Sequence, residues 1–174
     1  MENYFNLKKS FVFYGAYHNE YRNQLIHVVG IPAIFTTALH FASKVPLVGG
    51  FNLSDLTAVF YATSFIKMEP VAGLLYAPLI FGMHYLANKT LQGQTSLAIA
   101  IHVGGWIAQF IGHGLFERRA PALLDNLGQA IHAAVFFAWL EVLFFLGYRP
   151  KLQKELKVLI DAEVKKFQAQ SKKA

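Results

Sequence analysis

The chain has no cysteine. Disulfides and thiolate metal sites are therefore excluded, and the redox compartment leaves no mark on it. Charge is scarce as well: Asp, Glu, Lys and Arg make up 15% of the 174 residues, against roughly 25% in soluble domains. There is no strand-like alternation, no internal repeat and no Gly/Ser-rich linker. Periodicity thus leaves a single α-helical unit. The opening stretch, "MENYFNLKKS", lacks the continuous apolar core of a signal peptide.

Apolar residues are abundant. They form 55% of the chain before its 13 glycines are counted, above the roughly 45–50% that soluble domains reach with glycine included. They gather in four runs of 17 to 20 residues: 25–43, 71–87, 95–113 and 128–147. About 20 helical residues cross a hydrocarbon core of about 30 Å. Pro32 inside the first run predicts a kink or break. Residues 55–66 are too short to cross alone, and "KMEP" ends them. Asn52, Ser54 or Asp55 can cap that helix, and Pro70 suits the first position of the next. Arg149 and Pro150 end the fourth run, and residues 151–170 read as a charged surface helix.

The expected fold is all-α, an integral membrane bundle of about four to five apolar helices in one embedded domain. Residues 1–24 form an interfacial segment, 25–147 the bundle and 148–174 a basic tail. Runs of this length are rare in soluble bundles, which disfavours that alternative. In the first segment Phe5, Phe11, Phe13, Tyr14, Tyr17 and Tyr21 alternate with Lys8, Lys9 and Arg22, a pattern suited to lipid headgroups. Residues 149–174 carry eight Lys/Arg and three Asp/Glu, hence +5 of the net +6. A basic tail behind long apolar segments reads as a cytosolic flank rather than a nucleic-acid site. Lys8, Lys9 and Arg22 place the N-terminal segment on the same side, which favours an even number of crossings.

Seven histidines lie in or beside the apolar runs. Polar groups in a membrane are costly, so each needs a partner or a role. In "YHNEYRNQLIH", Asn23 and His27 are four apart and share a helix face. His18 and His27 are nine apart, about 900° of rotation, and so on opposite faces of one unbroken helix. Either the helix bends between them or His18 sits on a separate element. In "GWIAQFIGHGLFERRAPALLDNL", Gln109, His113 and Glu117 drift by only about 40° per step. His102 lies within about 20° of His113 on the same helix. Gly104, Gly105, Gly112 and Gly114 permit close helix approach. The His113–Glu117 spacing suits either metal chelation or a hydrogen bond that fixes an imidazole tautomer. Arg118 and Arg119 could pair with Glu117 or Asp125, grip a lipid carboxylate, or simply anchor the helix end.

Taken together, these two blocks and the "GIP" after the first resemble the signature of the 2-hydroxy fatty acid dioxygenase family of α-oxidation. This is a small multi-pass membrane family, formerly of unknown function, with a fungal member in phytosphingosine breakdown. The order and spacing of the apolar runs match over most of the chain. The resemblance implies Fe(II)-dependent conversion of a 2-hydroxy fatty acid and O2 to a fatty acid one carbon shorter plus CO2. It implies His18, His27 and His113 as iron ligands. Glu117, Asn23 and Gln109 match the family's other polar positions, with Asn23 and Gln109 as donors around the ligands. Arg118 or Arg119 would steer the substrate carboxylate. His40, His84, His102 and His132 match no family position. Membrane lipid is the expected surrounding and nucleic acid is not a partner. The location would be the endoplasmic reticulum membrane in a eukaryote or the inner membrane in a bacterium. Two rivals remain: haem held by His27 and His102 or by His84 and His132, and a non-enzymatic lipid-binding protein whose histidines only bridge helices.

Overall fold

A computed structural model describes residues 5–118 and 127–171. Helix α1 (Leu7–Gly15) starts on the Asn6 side chain, which accepts the Lys9 amide. Helix α2 (Tyr21–Ala42) starts on Glu20, whose carboxylate accepts the Arg22 amide. A connection with a short 3-10 turn, Val48–Gly50, leads to α3 (Leu53–Met68). Asn52 caps α3, and Asp55 reaches back to the Asn52 amide, which satisfies two amides left open at the helix start. Helix α4 (Pro70–Tyr85) begins with Pro70, which has no amide to leave unbonded, and runs into a π-helical turn at Leu86–Thr90. Helix α5 (Thr95–Gly112) likewise continues into a π turn, His113–Glu117. Helices α6 (Leu127–Phe145) and α7 (Pro150–Ser171) complete the chain. No strand occurs among the described residues.

Three stretches are long and apolar enough to cross a membrane: Tyr21–Ala42, Pro70–Thr90 and Thr95–Glu117. They coincide with three of the four apolar runs. The fourth run is α6, and it forms the buried centre. Phe136 stacks on Phe65 of α3 at 4.4 Å, Phe137 meets Phe11 of α1 at 4.7 Å, and Trp139 stacks on Tyr76 of α4 at 5.1 Å. Its alanines at 130, 133, 134 and 138 are buried and let neighbouring helices come close. With α3, the apolar helices number five, as the composition led one to expect.

Pro32 lies inside α2 and does not end it, so of the expected kink or break the break does not occur. Its ring removes one helical hydrogen bond, yet the helix continues through it, packed against α5. The two helices meet so closely that a Cβ at Gly105 would stand 2.7 Å from Ile34 Cγ1 and one at Gly30 would stand 2.2 Å from Gln109 Nε2. This close contact brings the polar end of α5 onto the start of α2.

Helix α1 turns Phe11 and Tyr14 inward against α6. Helix α7 buries Leu152, Leu156 and Ile160, spaced four apart, and exposes the positions between them. Ile160 packs onto Gly15 where a side chain would not fit, and Lys8 pairs with Glu155. The start of α7 is fixed by Glu69, a buried carboxylate that accepts the Tyr148 hydroxyl at 2.8 Å and Arg149 Nη1 at 2.7 Å.

Candidate metal centre

His18 lies in the turn between α1 and α2, its amide donating to the Gly15 carbonyl. That placement settles the rotation conflict: His18 is on a separate element and faces back toward α2. His27 sits on the second turn of α2, and His113 opens the π turn at the end of α5. All three are at most 3% exposed. Their ring centroids stand 4.3 Å (His18–His27), 4.6 Å (His18–His113) and 5.1 Å (His27–His113) apart. One ring nitrogen from each lies within 4.8 Å of the others.

The hydrogen bonds fix which nitrogens face inward. His18 Nδ1 is 2.7 Å from the Tyr14 carbonyl oxygen, and His27 Nδ1 is 2.8 Å from the Asn23 carbonyl oxygen. A carbonyl only accepts, so both Nδ1 atoms carry the proton. In neutral rings both Nε2 atoms are then bare acceptors, and they stand 3.0 Å apart. Two lone pairs at that separation repel unless a proton or a cation lies between them. A backbone-oriented pair of imidazoles with converging Nε2 atoms is the usual dress of a metal site. Tyr14 stacks flat on His18, centroids 3.8 Å apart, and clamps the ring from the side. Burial pushes the Tyr14 hydroxyl above its ordinary range, so it stays protonated.

Glu117 does a different job. Its Oε1 accepts the Glu20 amide at 2.9 Å and Asn23 Nδ2 at 3.1 Å. The carboxylate thus ties the His18 turn and the start of α2 to the end of α5. Gln109 Nε2 donates to the Ile26 carbonyl at 3.3 Å. Asn23 Oδ1 and Gln109 Oε1 are buried with no hydrogen-bond partner among the described residues. Asn23, Gln109 and Glu117 are therefore gathered beside the three histidines.

The arginines fall otherwise. Arg118 is exposed, in the left-handed region at φ 50°, and makes no ion pair with Glu117 among the described residues. The partners of Glu117 are Asn23 and the Glu20 amide instead. Arg119 and Asp125 lie outside the described residues. Arg22, given only a headgroup role by its sequence, sits 4.5 Å above the Phe116 ring with its Nε 3.0 Å from Glu20.

A cavity of about 40 Å³ opens beside the cluster, room for a few water-sized molecules. Its polar end holds His18, His27, His113 and Gln109; beyond them the walls are Ile31, Trp106, Phe110, Ile131 and Ala134. Tyr14 and Trp106 were not anticipated as site residues. The four-residue spacings Tyr14–His18 and Trp106–Phe110–Gly114 carried the available signal, since such spacing puts side chains on one face.

The remaining histidines are engaged elsewhere. His40 bonds the Ala87 carbonyl at 3.0 Å, His84 meets Asp55 at 2.8 Å, and His132 meets Ser64 at 2.9 Å. His102 uses both ring nitrogens, one with Thr37 and one with Trp106. The imagined haem pairs, His27 with His102 and His84 with His132, are accordingly not realised: His27 belongs to the cluster, and the other three rings bind neighbouring side chains.

No solved structure matches the chain. The chain is 31% identical over 165 residues to the 2-hydroxy-palmitic acid dioxygenase MPO1 of Saccharomyces cerevisiae, covering 94% of each sequence. A family described as 2-hydroxy-palmitic acid dioxygenase Mpo1-like matches residues 4–146, from the start of the first helical segment to the end of α6 and so across all three histidines. With that span matched, the chain belongs to the Mpo1-like family.

Proposed function

We propose that the chain is an Fe(II)-dependent dioxygenase of 2-hydroxy fatty acids, with His18, His27 and His113 as the iron ligands. The observation that carries this reading is the cluster itself: three buried imidazoles with ligand atoms within 4.8 Å, two of them turned metal-ward by backbone carbonyls. The donor set fits. Three neutral nitrogens leave positions open on a six-coordinate ion for substrate and O2, as non-haem iron oxygenases require. When bound, the ion would supply the O2 chemistry.

The chain's own residues do the rest. The Tyr14 and Asn23 carbonyls hold the rings in one tautomer, and Tyr14 stacks on His18 to fix its plane. Glu117 and Asn23 lock the His18 turn against α5, so the ligands from three elements keep one geometry. The buried Oε1 of Gln109, on the cavity wall, offers an acceptor for the substrate hydroxyl or a bound water. Ile31, Phe110 and Ala134 keep bulk water out of the apolar side of the cavity. Arg118 or Arg119 would steer the incoming carboxylate. The balanced reaction breaks the C1–C2 bond: the 2-hydroxy acid and O2 give the acid one carbon shorter, CO2 and water. The enzyme would be multi-pass, with a lipid substrate arriving from within the membrane of the endoplasmic reticulum or the bacterial inner membrane.

The test is anaerobic purification, metal quantification, then O2 with a 2-hydroxy fatty acid. Retained iron and a product one carbon shorter are expected. A metal-free protein that still shortens the acid would overturn the reading, as would iron-loaded protein that leaves every 2-hydroxy acid intact.

A further inference from the structure

The cavity has a direction. It follows α5 from His113 through Gln109 and Phe110 to Trp106, and α2 from His27 to Ile31. Trp106 stands seven residues from His113, about 10 Å along the helix. Phe110 and Ile131, on facing walls, are 48% and 41% exposed, so the cavity opens sideways between α5 and α6. The chain of a 2-hydroxy acid with its polar carbons at the histidines would leave this small cavity beside Trp106, which lines it together with Phe110 and Ile131.

The indole at that point is held in place. Trp106 Nε1 donates to His102 Nε2 at 3.0 Å. That nitrogen is then the bare one, so His102 Nδ1 carries the proton and donates to Thr37 Oγ1 at 2.8 Å. The Thr37 hydroxyl in turn donates to the Ile34 carbonyl at 2.9 Å. Every donor in this relay meets an acceptor. It begins at the cavity wall and ends on the backbone of α2, opposite the tight Gly105–Ile34 contact.

We infer that Trp106, positioned by His102 and Thr37, is the wall that selects the hydrocarbon chain of the substrate. The inference rests on the function proposed above. Trp106 touches the chain; His102 and Thr37 are positioning residues that act through it. The selection is steric: the locked indole sets the width of the channel leading away from the histidines, and so the chain length and branching that pass.

The test uses iron-loaded protein in detergent and 2-hydroxy fatty acids of about 8 to 20 carbons, straight and methyl-branched. Turnover gives kcat and KM for each chain. Binding without O2 is followed by the emission of Trp106 in a Trp139→Phe background, which removes the other of the two tryptophans. Trp106→Ala should move the optimum toward longer or branched chains and change the ratio of KM values across the series by about tenfold or more, with kcat altered far less. His102→Leu should move it the same way, and His102→Gln, which can still accept from the indole and donate to Thr37, should restore the parent profile. Ligand addition should shift Trp106 emission. An unchanged profile in Trp106→Ala and His102→Leu, with binding intact, would overturn the inference; so would emission that ignores every bound chain, or a His102→Gln profile no closer to the parent than that of His102→Leu. Failure of the parent protein to bind or turn over any 2-hydroxy acid would instead overturn the function on which the inference stands.

Discussion

Alanine at Gly112 should misplace Asn23 and, through it, Glu117. The added Cβ would stand 2.4 Å from Asn23 Oδ1 and 3.3 Å from Ile26 Cδ1. Ordinary contact begins near 3.4 Å, so Asn23 must retreat by about 1 Å. Overpacking of this kind costs about 1–3 kcal/mol. The retreat also strains the bond from Asn23 Nδ2 to Glu117 at 3.1 Å, a carboxylate bond worth about 1.5–3 kcal/mol when intact. A net loss of about 2 kcal/mol corresponds to roughly 4–8 °C in melting temperature for a chain of this size. Activity should suffer more than stability, because a displacement of about 1 Å in a supporting group can lower turnover about 100-fold. Thermal unfolding and turnover per bound iron are the measurements. Gly104→Ala is the control: a Cβ there meets nothing within 4 Å, and the change should be neutral or stabilise by about 0.5–1 kcal/mol. Asn23→Ala removes the clashing atom, so Gly112→Ala should add under about 0.5 kcal/mol in that background. If the two changes are additive, or Gly112→Ala turns over at the parent rate, the steric argument is wrong.

Other outcomes follow from the same geometry. His18→Ala, His27→Ala and His113→Ala should each abolish both iron retention and chain shortening; normal turnover in one of them would remove that residue from the ligand set. A chelator should stop turnover and lower the melting temperature, and Fe(II) should restore both. At a free metal concentration 100 times the dissociation constant the stabilisation is about 2.7 kcal/mol, visible by scanning calorimetry. Glu69→Ala leaves Tyr148 and Arg149 without their shared carboxylate. It should cost about 1–3 kcal/mol, the lower part of the range being favoured because Arg149 is half exposed. Turnover per folded molecule should fall far less than in the histidine variants, since that contact reaches the cluster only through the docking of α7 on Gly15.

The helices and their limits were legible because they rest on local chemistry. Asn52, Asp55 and Pro70 start their helices as their side chains dictate. The long runs became α2, α4 and α5 because no Asp, Glu, Lys or Arg interrupts them. That α2 runs on past Pro32 was not legible, because the proline's penalty is local, whereas the contact with α5 lies some 75 residues away in sequence. The buried state of α6 was equally hidden: hydropathy reports that a helix avoids water, not whether lipid or protein replaces it. For the site, Asn23 and His27 could be placed on one face by counting, and Gln109 with His113 likewise. No count could turn His18 toward them, because a turn after Gly15 reverses the chain there. The partners of Glu117 were also out of reach, since a π turn displaces it from the α-helical phase that pointed to His113.

The docking of α7 against α1 has a bearing on how the protein matures. All the imidazoles of the cluster have been synthesised once residue 113 is in place, but the turn bearing His18 leans on Gly15, and Gly15 is backed by Ile160. On the ribosome, a nascent polypeptide that already owns every ligand therefore still lacks the buttress for one of them. On the function proposed above, iron uptake would belong to the end of biogenesis, and a chain stopped short of residue 160 should emerge with a complete set of donors and a loose grip on its metal.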